Sequence, residues 1–266
     1  MDAREAVGHR YGEHLTDRDL LALADGEPSR VAPLRRRPEL LLDLLDRPAV
    51  ADAVLAARRD ESGRFRHVSP FLVFAAAVHR TGGALVGRLH TPDRTAPRTR
   101  VPIFDAPVLA AFATEPEHRL HLAELLASYS RPASGIVWRR DEWGRRAERW
   151  DELDLPALAR LLTAVPADQQ AGVWRRIGDG ALFLAGVFPE HAERTLAGPG
   201  LARLAGSGEG PVTELLEQLA GRAYAQVGAA VPAGVAASPQ LARRFLALVA
   251  ERHLFGASGG LLAAGV

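Results

Sequence analysis

The sequence predicts an all-α protein, a globular bundle of about nine or ten helices with room for one small β-hairpin near residues 84–104. Three observations predict it. Apolar residues make up 47% of the 266 residues but aromatics only 6%, so Ala, Leu and Val must fill the core. Alanine and leucine favour helix over sheet. Apolar residues recur at spacings of three and four, and many of these runs open on a Ser, Thr, Asp or Pro start signal.

In chain order, Thr16 followed by Asp19 has the spacing of a capping box and opens a helix that Gly26 stops. Glu27–Arg37 is rich in Pro and Arg and reads as a loop. Pro38 suits a first helical turn, and Leu40, Leu41, Leu44 and Leu45 supply the stripe behind it. Pro48 starts another helix. Ser69-Pro70 caps and opens a helix over Phe71–Arg80 that is apolar on nearly all sides and therefore expected to be buried. Two short apolar pieces, Ala84–His90 and Val101–Phe104, flank a turn-rich loop and fit a hairpin. Asp105 with Pro107 begins a helical region running towards Tyr129, with Pro116 as a break. Further starts lie at Asp154, Pro166 and Ser238, and Glu214–Val227 reads as a helix.

The run Arg175–His191 is among the most apolar in the chain and carries Gly178, Gly180 and Gly186. Gly178-x-Gly180 lacks the third glycine and the preceding strand of a phosphate-binding fingerprint, which leaves a core helix as the reading. Asp179, between two glycines, is expected to cap its start. Five glycines in 198–210 suggest a linker. The expected organisation is a main helical domain over 1–197, that linker, and a C-terminal helical hairpin over 211–266 packed on the main domain.

Composition excludes several chemistries. With no cysteine there are no disulfides, thiol nucleophiles or Cys-ligated metals. Every basic side chain of the Lys and Arg class is Arg, as a GC-rich genome produces, and 33 basic against 32 acidic residues leave no net field to steer a polyanion. The N-terminus is polar, without the apolar core of a signal peptide, and no apolar run approaches the roughly eighteen residues of a membrane span. A cytoplasmic location and no membrane association are expected.

Two stretches carry candidate chemistry. On a helix from Pro116, Glu117, His121 and Glu124 fall at i, i+4 and i+7, with His118 beside His121. Two imidazoles and two carboxylates at such spacing are the donors a Zn, Fe or Mn site draws on, and an ordinary solvated helix face has the same pattern. Glu115-x-x-His118 matches one element of a di-iron bundle, but no second such element exists in the chain. His79, at the end of an apolar helix, is a further ligand candidate or a histidine satisfied by a backbone carbonyl. The second stretch is Trp138–Trp150, where aromatics alternate with Arg139, Arg140, Arg145 and Arg146. Acids interrupt it, so its linear charge is near neutral and nucleic acid is not the expected partner.

No complete catalytic motif is present. The first reading is therefore a protein-interaction or regulatory module, with a protein partner or a homo-oligomer. A metal- or haem-dependent helical enzyme using Glu117, His118, His121 and Glu124 is the second, and a weak nucleic-acid binder through 138–150 the third.

Overall fold

A computed structural model describes residues 2–56, 67–96, 99–141 and 144–255. Among them are fifteen α-helices and two two-stranded antiparallel sheets. The helical class is as the sequence predicts, with more helices than expected. The chain divides into two compact units: residues up to Ala127 together with the chain from Leu248, and Ser128–Ala247.

The first unit begins with α1 (Ala3–His14), α2 (Asp17–Leu23), α3 (Pro28–Arg36), α4 (Glu39–Leu45), α5 (Pro48–Ala56) and α6 (Pro70–Gly83). The capping box forms: Asp19 N donates to Thr16 Oγ1 and Asp19 Oδ2 accepts from Thr16 N. Asp19 Oδ1 also accepts from Ser69 N at 2.7 Å, so one buried carboxylate starts α2 and holds the entry to α6. Ser69 then caps α6, and every residue from Phe71 to His79 is buried. The expected loop at 27–37 is instead α3. Pro28 sets its first turn, and Leu34 gives it a buried anchor.

A hairpin does form in the expected region, but its strands are β1 (Thr91–Ala96) and β2 (Thr99–Ile103). Ala84–His90 is the connection into it. The turn-rich composition of Thr91–Arg100 hides a strand whose residues are not apolar. Helices α7 (Ala106–Thr114) and α8 (Pro116–Ser128) follow, separated at Pro116 as predicted.

The second unit opens with a ribbon of β3 (Ser134–Asp141) and β4 (Gly144–Asp151), in a stretch where the sequence marks no strand. Then come α9 (Leu155–Leu161), α10 (Gln170–Val187), α11 (Pro189–Leu196), α12 (Pro199–Ala205), α13 (Val212–Ala225), α14 (Ala233–Ala237) and α15 (Pro239–Val249). Residues 198–210 thus contain a helix. Its short apolar set, Leu201, Ala202 and Ala205, is buried.

Helix α10 corrects the expected start at Asp179. The helix does not restart at Asp179 but runs unbroken through it. The glycines permit close approach. A Cβ on Gly178 would lie 2.5 Å from the Tyr224 ring, and one on Gly186 would lie 2.8 Å from Leu246 Cβ and 3.1 Å from Arg243 O. Asp179 is buried, accepts a hydrogen bond from Tyr224 Oη at 2.8 Å and pairs with Arg175 at 3.6 Å. On the same helix Phe183 stacks on Tyr129 at 4.5 Å, and Arg176 covers that tyrosine ring. Tyr224→Phe keeps the packing against Gly178 and removes the donor to Asp179. It should cost about 1–3 kcal/mol, seen as a lower urea midpoint at unchanged m-value.

Candidate functional site

The first unit gathers its chemistry-bearing side chains around α1. Tyr11 is fully buried, and its Oη lies 2.9 Å from His79 Nε2 on α6. His79 Nδ1 is 2.8 Å from Asp46 Oδ1 at the end of α4, and Arg119 of α8 donates to the same carboxylate oxygen. Burial, with the Arg119 charge, holds His79 down at about 4, against the pull of Asp46. Burial works against the Asp46 carboxylate, but the hydrogen bonds and charges of His79 and Arg119 outweigh it and hold the group at about 2. Burial pushes the Tyr11 phenol well above its ordinary range.

These directions settle the proton positions at neutral pH. His79 is neutral and Asp46 ionised. Nδ1–H donates to Asp46, and Nε2 accepts from the Tyr11 hydroxyl. The 3.1 Å approach of Arg119 Nη1 to His79 Nδ1 follows from two donors converging on one oxygen.

Carboxylate, imidazole and hydroxyl stand here in the order of a hydrolytic triad. The hydroxyl, however, belongs to a phenol with 0% exposure, so no substrate carbonyl reaches it. What the chain of contacts does is join α1, α4, α6 and α8. The carbonyl expected to satisfy His79 is replaced by a carboxylate and a phenol.

The predicted cluster on α8 is divided by the helix. Glu117 is exposed and His121 buried. His118 is half-buried, stacks on Phe112 at 4.4 Å and donates from Nδ1 to Phe112 O at 2.9 Å. Glu124 accepts from Arg10 at 3.2 Å and pairs with His14 at 3.0 Å, which places it against α1. His14 in turn stacks on Phe71 at 4.6 Å. Among the described residues no group of three or more His, Asp or Glu converges as a metal site would require.

Beside α1 lies an open groove of about 360 Å³. Leu15, Leu20, Leu34 and Leu41 line it with apolar surface, and Asp17 and Arg35 at its edge are paired with each other. It offers volume for an apolar group.

The sequence reading missed Tyr11, Asp46 and Arg119. Their partners lie 33 to 73 residues away, and no local spacing marks them. The signal that existed was a histidine inside an all-apolar helix. No helix among the described residues is long and apolar enough to cross a membrane. No family profile, curated protein or solved structure matches the chain.

Proposed function

We propose that this chain is a non-catalytic protein-interaction module that pairs with a second copy of itself through the apolar surface of residues 86–108. One observation carries this reading. Five large apolar side chains of that short stretch stand in solvent: Phe104 at 76%, Val86 at 75%, Leu89 at 69%, with Val108 and Val101 at about half. The hairpin brings the two ends of the stretch together. Thr91 faces Ile103 across the hairpin, Thr91 Oγ1 donates to Asp105 Oδ1 at 2.5 Å, and the His90 and Phe104 rings are 5.9 Å apart. Contiguous exposed apolar surface marks interaction sites. Among the described residues β1 and β2 pair only with each other, so each presents an outer edge.

The formal net charge is +1, so two copies meet with almost no repulsion. The best-developed hydrogen-bonded relay supports a non-catalytic role, because its hydroxyl end is closed to substrate.

Sedimentation velocity should show a concentration-dependent rise from a single 28.6 kDa chain towards twice that mass. The double variant Val86→Asp, Phe104→Asp should weaken pairing at least tenfold while leaving the urea midpoint nearly unchanged, since exposed positions contribute within about 0.5 kcal/mol. A wild-type chain that sediments as one copy at every concentration overturns the reading.

A further inference from the structure

The first unit carries a positive charge that the chain itself does not neutralise. The chain from Leu248 belongs to this unit, and Ala250–Leu254 forms a π-helical turn in it. Single turns of this kind are rare and recur at functional sites. Arg252 and His253 stand side by side on the turn. Arg252 Nη1 and His253 Nε2 are both enclosed and have no hydrogen-bond partner. Among the described residues Arg252 has no side-chain hydrogen bond or ion pair, and its other two guanidinium nitrogens are not enclosed. An ordinary surface arginine keeps its whole guanidinium in water, whereas this one is held half-buried with its donors unused.

Two more guanidinium groups lie within electrostatic reach. Arg80 is in the last turn of α6, and successive turns, Leu85 N to Gly82 O and Arg88 N to Leu85 O, carry the chain from there to Arg88. Burial, and then the charges of Arg88 and Arg80, push Arg252 below its ordinary value. The acids nearby leave this charge standing. Asp52 is taken up by Arg80, at 2.7 Å. Glu251 pulls against the other charges at Arg252 but forms no ion pair with it, and exposed Arg88 has no ion pair among the described residues. A part-buried cation among like charges is costly to hold unless an anion offsets it. Guanidinium groups grip the oxygens of a phosphate bidentately, which an ammonium cannot do.

We infer that the turn at Ala250–Leu254 binds a soluble phosphate group, held by the free N–H groups of Arg252 and Arg88, with Arg80 completing the positive rim. The whole chain has a formal net charge of only +1, so local donors rather than a broad field select the ligand, which favours a soluble phosphate over a charged lipid surface. The proposal goes beyond self-association and does not depend on it.

The test is calorimetric titration of the full chain with pyrophosphate at constant low ionic strength, with acetate as the comparison. One pyrophosphate should bind per chain. Arg252→Gln and Arg88→Gln should each weaken binding about tenfold, the loss of one charge-assisted contact. Arg88→Lys should fall between Arg88→Gln and the wild type. Arg36→Gln, at an exposed position on α3, should leave binding unchanged. Arg88 is exposed, so Arg88→Gln should keep the wild-type urea midpoint and reads the site even if Arg252→Gln does not fold. No heat of binding beyond that of acetate overturns the proposal. So does an affinity unchanged in Arg88→Gln, or a loss in Arg36→Gln as large as in Arg88→Gln. Pelleting of the chain with phosphatidate vesicles overturns the assignment to a soluble ligand. Because Arg88 lies within 86–108, pairing is read separately, by sedimentation of the unliganded chain. Failure to bind pyrophosphate therefore leaves the self-association reading standing, and the reverse holds too.

Discussion

Gly8→Ala is expected to destabilise the first unit by about 3 kcal/mol, the upper end of what overpacking a fixed contact costs. A Cβ at this position would lie 2.6 Å from Pro38 C and O and 2.7 Å from Glu39 N. These are backbone atoms at the start of α4, and no side-chain rotation relieves them. Helix α1 must back away from α4, and Tyr11, three residues on, then loses its hydrogen bond to His79. Gly12→Ala is the control on the same helix. Its Cβ would meet only Leu41 Cδ1, at 3.9 Å. There the helix propensity of alanine acts alone, and a gain of up to about 1 kcal/mol is expected. Urea unfolding of the two variants checks the contrast. Equal midpoints would show that α1 does not pack closely on α4.

The second large effect is on pH. His79 is held at about 4 in the folded chain, against 6.5 for a free imidazole. As pH falls from 6.5 the unfolded chain takes up the proton first, so the folded state loses stability through the window from 6.5 down to 4. The loss is about 1.4 kcal/mol per pH unit, or about 2 kcal/mol at pH 5. Burial, with the charges of Arg252 and Arg80, holds His253 at about 4 as well, so it adds in the same window and with the same sign. Asp46 works lower: its contribution is present above 3.8 and is lost as pH falls towards about 2. Urea midpoints at pH 7, 6 and 5 should fall steadily. In His79→Gln the fall should be shallower, because one of the two imidazoles is gone. An unchanged slope in that variant would contradict the assignment of His79 as buried and neutral.

The legible parts of this fold were local. Thr16 with Asp19 and Ser69-Pro70 announce their helices because caps act over three residues. The helix at 70–83 declares its own burial, since Phe71 to Val78 leave it no polar side. The β3–β4 ribbon was hidden for a physical reason. Exposed Ile136 and Trp138 share its register set with Arg149, so apolar residues do not alternate cleanly with polar ones. The helix start expected at Gly178 and Asp179 does not occur, because a glycine that admits Tyr224 looks, in sequence, like a glycine that turns the chain. The predicted donors at 117–124 share a helix but not an environment: Glu117 meets solvent, His121 the core, and Glu124 the arginine and histidine of α1. The relay of Tyr11, Asp46, His79 and Arg119 depends on four helices meeting, which no spacing records.

Self-association through residues 86–108 is tested most directly by hydrogen–deuterium exchange of the wild-type chain, compared between dilute and concentrated samples. The account predicts added protection at high concentration in peptides covering 86–108, with the buried helix α6 unchanged. Identical exchange across 86–108 at both concentrations, or protection that appears only elsewhere in the chain, would contradict it.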